Sequence, residues 1–342
     1  MTTTRIRTGW VVFILLALTA ALFLSGCSEN SSDDREMRSR LVMDTKVDVT
    51  LFGVSSQEAT AVANEMFEEM ERLENILSRH ISGSDISRIN DAAGKNWVSV
   101  EPETVDVLKE SIAAAELTEG VFDPTVGILL RLWGFGTEDP KVPSPDELEH
   151  ALQLVGYDYI QIDEENNKVF LTQPGMNIDV GGIAKGYVVD RGQDVTAEAG
   201  IKAVFINAGG DISIRGSRPQ GGKWRVAIQD PDNPQEWIAI IEMEEGSIAT
   251  SGDYQRFFEQ EGVIYHHILD PFTGFPARHV TSVTVTGPST SMVDALTTGI
   301  FVLGVERGLD LLEALPGYEG LIVDNDGELY ITAGLEDDVE IL

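Results

Sequence analysis

In the stretch SMVDALTTG, Asp294 and Thr298 stand four residues apart, so on a helix both fall on one face. A carboxylate and a hydroxyl placed this way can hold a hard cation such as Mg2+, which takes one or two carboxylates and completes its shell with phosphate and water. Read alone, the pair reads first as an acid near a helix start and a surface threonine. The segment DVGGIAKGYVVD, residues 179–190, offers the complementary chemistry. Gly181 and Gly182 let backbone N–H groups approach a ligand with no Cβ in the way. A helix starting near Ile183 would turn its positive end toward an anion, and Lys185 adds a point charge. The spacing is that of neither a P-loop nor a dinucleotide fingerprint, and by itself the stretch reads first as a tight strand-to-helix turn. In YHHILDPFTGFPA, His266 and His267 precede Asp270 in a Pro/Gly turn. On a strand the two histidines point to opposite faces, so at most one faces a site. A histidine near neutrality can take a hydroxyl proton or hold a phosphate, although one turn-capping and one exposed histidine would look the same in sequence. The segment EGVFDPTVGILLRLWGFG turns at Asp123-Pro124, for which ordinary turn chemistry is enough, and Trp133 and Phe135 read as core.

Those groups need elements to position them. SSQEATAVANEMFEEMERLENILS places Val62, Met66, Met70, Leu73 and Leu77 at helical spacing, with Ser56 as the expected cap. EPETVDVLKESIAAAELTEG predicts a helix closed by Gly120, and SPDELEHALQLVG another, entered through Ser144 and Pro145. STSMVDALTTGIFVLG and ERGLDLLEAL read as helices. VMDTKVDVTLFG reads as one strand, YIQIDEENNKVFLT as a hairpin, and a run of short strands extends from AVFINAGG to TSVTVTG. EGLIVDNDGELYITAG predicts a closing hairpin. Many consecutive antiparallel-looking strands mixed with helices argue for an α+β fold, with helices layered on largely antiparallel sheets.

The first 26 residues stand apart. Arg5 and Arg7 precede an uncharged apolar run from Trp10 to Leu24, short for a membrane span, followed by small residues and Cys27, the single cysteine of 342 residues. Leu24-Ser25-Gly26-Cys27 resembles a bacterial lipobox, so residues 1–26 are expected to be a lipoprotein signal peptide and Cys27 the acylated first residue of the mature chain. Residues 27–40 then read as a lipid-anchored tether and 41–342 as the folded domain, membrane-anchored outside the cytoplasm on the periplasmic face, with inner and outer membrane both open. Multiple acyl chains would be needed, because one gives marginal binding. With no second cysteine, an intramolecular disulfide is excluded. Beyond Gly26 the chain carries 22 basic and 57 acidic side chains, a formal charge of −35, which argues against nucleic acid as a partner. Any polyphosphate must be held by local features against that field, and a metal ion would help.

Taken together and in order, MDT (residues 43–45), LSRHISGSDISRIN, FDPTVG with LW, DVGGIAKG, INAGGDI, SIATSGDYQRFF, HILDPFTG and DALTTGIFVLG resemble the ApbE family of FAD:protein FMN transferases, from about Met43 to about Gly334. The resemblance implies an ApbE-like, T-fold-related architecture. It implies an enzyme that cleaves FAD at the pyrophosphate, transfers FMN as a phosphoester to a threonine or serine hydroxyl of an acceptor protein, releases AMP and needs Mg2+. Flavin-binding positions would be Met43, His80, Val121, Phe122, Asp123, Asp179, Lys185 and Ile268. Metal ligands would be the Gly182 carbonyl, Asp294 and Thr298, with Thr297 as a further candidate. His267 matches the family's catalytic histidine, with Asp270 following it. Acceptors by resemblance are flavoprotein subunits of Rnf- or Nqr-type complexes or other exported flavoproteins. Two departures stand out: Asp44 where the family usually has glycine, and His80 where many members carry a stacking tyrosine. An FAD pyrophosphatase releasing FMN and AMP, and a lipoprotein that only binds flavin, are the competing readings.

Overall fold

In the computed structural model, residues 35–254 and 256–342 are described. The expected signal peptide and Cys27 lie outside them. Helix α1 (Ser56–Leu77) buries Val62, Met66, Met70, Leu73 and Leu77, the stripe its spacing predicts. Its cap is Ser55, one residue earlier than expected, whose hydroxyl accepts the Glu58 amide at 3.3 Å. The remaining helices are α2 (Asp85–Asp91), α3 (Pro102–Leu117), α4 (Gly127–Trp133), α5 (Pro145–Leu152), α6 (Ala184–Glu198), α7 (Thr290–Leu303) and α8 (Val305–Ala314). Pro145 opens α5 behind Ser144, as the sequence leads one to expect, and Glu147 makes the cap reciprocal. Among the described residues no helix is long and apolar enough to cross a membrane.

The strands are β1 (Arg35–Val42), β2 (Thr45–Phe52), β3 (Val98–Ser99), β4 (Ile160–Asp163), β5 (Lys168–Leu171), β6 (Ala203–Ala208), β7 (Asp211–Arg215), β8 (Trp224–Gln229), β9 (Trp237–Met243), β10 (Gly246–Gly252), β11 (Phe257–Gln260), β12 (Val263–His266), β13 (Val280–Gly287), β14 (Glu319–Asp324), β15 (Leu329–Ile331) and β16 (Val339–Ile341). Eight of them form one sheet in the order β1-β2-β6-β7-β10-β13-β14-β15, every pairing antiparallel. Alternation along β6 shows how the layers form. Val204, Ile206 and Ala208 enter a core shared with α1 and α6, while Phe205 turns to the opposite face. There it meets Trp224 of the small sheet β16-β9-β8, so helices cover one face and a second sheet the other. Along β7 the helix-side residues are polar: Ser213 bonds Gln193 and Arg215 bonds Thr196, both on α6. The α+β expectation, helices on largely antiparallel sheets, holds.

Three expectations are corrected. The stretch 27–40 does not remain a tether throughout, because β1 begins at Arg35 and pairs with β2 from Arg35↔Phe52 to Val42↔Thr45. Its inward residues are the charged Arg38 and Arg40, whose guanidinium groups bond Ser56, Thr60 and Asn64 on α1, so a charged strand satisfies its heads and covers a helix with its stems. VMDTKVDVTLFG is not one strand, since Met43 and Asp44 adopt φ 52° and 57° and form the two-residue tip of the β1–β2 hairpin. The chain also continues past the β14–β15 hairpin to β16, which closes on β9.

Candidate active site

Two close contacts between α6 and α7 set the site. A Cβ on Gly186 would lie 2.2 Å from the Thr290 carbonyl oxygen, so only glycine lets α6 approach α7 this closely, and its amide donates to Asp294 Oδ2 at 3.1 Å. Four residues on, Asp190 accepts from the Thr290 and Ser291 amides, both at 3.0 Å, and caps α7 from outside. Helix α6 begins near Ile183 as the sequence suggests, with no side-chain cap of its own.

The expected ligand groups meet at this junction. Asp294 is buried on α7 and Thr298 lies one turn on. A Cβ on Gly182 would sit 3.5 Å from Thr298 Oγ1 and 3.2 Å from the Phe122 ring, which puts the glycine turn against both. Thr297 is fully buried, donates to the Asp294 carbonyl at 2.7 Å and meets Ser251 Oγ at 2.9 Å, so its hydroxyl is already employed. The candidate ligands are hard oxygens, and a side chain at residue 182 would press on Thr298 and Phe122, so the residues present suit Mg2+. Among the described residues no group of three His, Cys, Asp or Glu side chains is arranged to hold a metal. One carboxylate, a hydroxyl and a carbonyl would therefore need ligand phosphate and water to complete the shell.

Lys185, from the first turn of α6, places Nζ 3.1 Å from Asp211 Oδ2. Burial works against the lysine's charge, but Asp211 and Asp294 outweigh it and hold its pKa above the ordinary value. Burial and the charge of Asp211 push Asp294 well above the carboxylate range, and burial raises Asp211 as well despite Lys185. Lys185 and Met43 also line one small cavity with Met70 and Val188, so the hairpin tip reaches the same corner.

Around the rim, the Asp179 amide donates to the Pro124 carbonyl at 2.7 Å, drawing the glycine turn to the 121–125 segment. Asp179 accepts the Gly181 amide at 2.7 Å and pairs with Arg79, the neighbour of the exposed His80. Asp123 is buried, and its carboxylate accepts from the Thr125 amide and hydroxyl at 2.7 and 2.5 Å and from the Tyr157 amide at 2.9 Å. Its side chain therefore builds the turn. Val121 and Ile268 are buried in one cluster with Phe301 and Leu296 of α7.

The two histidines part company. His266 is buried, with Nε2 2.7 Å from the Ala277 carbonyl and its ring edge-on to Phe301. His267 is half-buried, and the Arg256 carbonyl holds both its amide, at 3.1 Å, and its Nδ1, at 3.3 Å. A carbonyl can only accept, so Nδ1 carries the proton and Nε2 keeps a free lone pair. Burial, then the charge of Arg256, lowers His267 to about 4. Asp270 accepts the Phe272 amide at 2.8 Å and closes its own turn. Trp133, fully buried as expected, donates to the Gly274 carbonyl at 2.7 Å and steadies that turn from below.

Sequence reasoning assigned no role to Arg79, Asp211, Ser251 or Arg256, which supply a rim ion pair, a buried carboxyl, a bond to Thr297 and the hold on His267. Each sits inside a motif quoted for the resemblance, yet residue type alone gave none a partner.

Hard oxygens, a lysine, glycine-rich backbone and a neutral imidazole make up the equipment of a phosphate-handling site. Residues 43–322 match the ApbE family, and the chain belongs to it. It is 31% identical to the FAD:protein FMN transferase of Treponema pallidum, across 97% of this chain and 96% of that protein. It is 36% identical to the FAD:protein FMN transferase of Vibrio cholerae, across 88% and 90% of the two. The crystal structure of the ApbE protein from Thermotoga maritima superposes with a TM-score of 0.83 at 36% identity, covering 89% of this chain and 99% of that one. The flavin transferase ApbE from Vibrio cholerae gives 0.79 at 32% identity, covering 89% and 99%.

Proposed function

We propose that the protein is a Mg2+-dependent FAD:protein FMN transferase, which moves FMN from FAD to a threonine or serine hydroxyl of an acceptor protein and releases AMP. The observation that carries the reading is the convergence of Asp294, Thr298, Gly182 and Lys185 in one corner beside the 121–125 segment. Asp294, Thr298 and the Gly182 carbonyl would hold Mg2+, which when bound neutralises charge on the pyrophosphate. Lys185 adds a fixed positive charge at the same corner. His267 stands neutral at pH 7, with Nδ1–H pinned on Arg256 and Nε2 open. The acceptor oxygen forms a bond to the FMN phosphorus as the phosphorus–oxygen bond to AMP breaks. The hydroxyl proton goes to His267 Nε2, and AMP departs with the electron pair. The arriving dinucleotide is anionic and raises the basicity that Arg256 depresses.

The acceptor, on this proposal, is a flavoprotein subunit of Rnf or Nqr type or another exported flavoprotein, and the enzyme works from a membrane, tethered through acylated Cys27 on the extracytoplasmic side. The support for the anchor is the run Leu24-Ser25-Gly26-Cys27 behind an apolar stretch. The experiment is incubation with FAD, Mg2+ and an acceptor domain, read by in-gel flavin fluorescence and AMP release. Covalent label should appear with the parent chain and vanish with Asp294→Ala. Labelling that persists in Asp294→Ala would refute the metal assignment, and rapid FMN and AMP release without acceptor would identify a hydrolase.

A further inference from the structure

Asp211 has no part in the reaction just described, yet it is 1% exposed and lies at the centre of the site's charged cluster. It is delivered by a constrained turn. Gly209 and Gly210 take φ 63° and 107°, the Gly210 amide donates to Asn207 Oδ1 at 2.9 Å, and a Cβ on Gly209 would lie 2.3 Å from Thr45 Oγ1. The β6–β7 tip is thereby pinned beside the β1–β2 tip that carries Met43. From the first position of β7, Asp211 faces the helix layer along with Ser213 and Arg215. One oxygen takes the Lys185 ammonium at 3.1 Å, an ion pair buried beside Gly186. Asp294 is in turn held on the Gly186 amide. One side chain from β7 thus fixes the lysine on α6 one residue before the amide that holds the carboxyl on α7.

We propose that Asp211 is a positioning residue that sets Lys185 and Asp294 for the cation and the pyrophosphate without touching either ligand. The inference rests on the transferase reading. Its physical basis is that a flexible lysine and a rotatable carboxyl lose affinity when free to choose among rotamers, and a buried partner removes that freedom. Conventional ligand reasoning passes Asp211 by because it lies behind the ligands.

The test titrates MgCl2 into the full chain by calorimetry, comparing the parent with Asp211→Asn, Asp211→Glu and Asp294→Ala, with thermal midpoints recorded alongside. Asp211→Asn should weaken Mg2+ about 10- to 100-fold. FMN transfer by that variant, poor at limiting Mg2+, should recover when Mg2+ is raised by the same factor, a rescue that a merely structural role would not show. Asp211→Glu keeps the charge but displaces it by one methylene, and it should weaken Mg2+ at least 10-fold, serving in place of the amide if the amide fails to fold. A folded Asp211→Asn or Asp211→Glu with the parent's Mg2+ affinity, where Asp294→Ala has lost it, overturns the role of Asp211 alone. Parent-like Mg2+ affinity in Asp294→Ala overturns the metal assignment and this inference with it.

Discussion

The junction at Gly186 allows a quantitative forecast. In Gly186→Ala the new Cβ would start 2.2 Å from the Thr290 carbonyl oxygen, 2.6 Å from its carbon and 2.8 Å from Ser291 Cα. Carbon and oxygen in contact settle at about 3.3 Å, so α6 and α7 must separate by about 1 Å. All three atoms belong to the backbone, and no rotamer change can relieve the contact. Overpacking of this kind costs about 1–3 kcal/mol, and the better helix propensity of alanine returns up to about 1 kcal/mol. A net loss of about 2 kcal/mol is expected, near the upper end because the bond from the Gly186 amide to Asp294 is stretched as well. In a chain of this size that lowers the midpoint by several degrees. The same movement withdraws the glycine turn and Lys185 from Asp294 and Thr298, so Mg2+ affinity should fall about 10-fold or more. Differential scanning calorimetry and Mg2+ titration of one preparation supply both numbers. A Gly186→Ala protein as stable as the parent, or more so, and binding Mg2+ as tightly, would show that this close approach does not set the site.

Two further outcomes follow from the same contacts. Asp190→Ala leaves the Thr290 and Ser291 amides at the start of α7 without their acceptor and should cost about 1–2 kcal/mol in urea unfolding, with Asp190→Asn recovering part; a change below about 0.5 kcal/mol would deny the cap. His267 lies at about 4 in the fold, lowered by burial and by Arg256, His266 and Lys185, against about 6.5 in an unfolded chain. The unfolded state therefore takes up a proton between those values that the folded state refuses, and stability falls as pH drops from 6.5 toward 4. Discounted for the ring's partial exposure, the effect is about 2 kcal/mol, so His267→Asn should flatten the midpoint-versus-pH curve between pH 7 and 4.5; an unchanged slope would contradict the placement of the ring.

Helices were legible where one local rule decided them. The Ser144–Pro145 entry to α5 is written in two adjacent residues and the apolar stripe of α1 in a repeat along one helix, and both formed where expected. Charged strand β1 escaped notice because Arg38 and Arg40 reach their partners on α1 across about twenty residues, from 18 to 24, a satisfaction no local pattern displays. The Met43–Asp44 tip was hidden for a different reason: two non-glycine residues occupy conformations that turn signals normally assign to Asn-Gly. Within the site, the one-face placement of Asp294 and Thr298 follows from helix geometry alone. Asp211 was invisible because its importance comes from the neighbours that the β6–β7 tip gives it, and Asp123, expected at the ligand, is spent on its own turn.

The order β1-β2-β6-β7-β10-β13 carries a consequence for biogenesis. Strand β2 finds its neighbour β6 only after some 150 intervening residues have been made, and Asp294 arrives nearly a hundred residues later still. Nothing synthesised before α7 can assemble the corner, so on the proposed reading a chain cut short of α7 should not hold the dinucleotide. Assembly of the corner in this topology therefore requires synthesis through Thr298, while α8 and the strands β14 to β16 are still to follow.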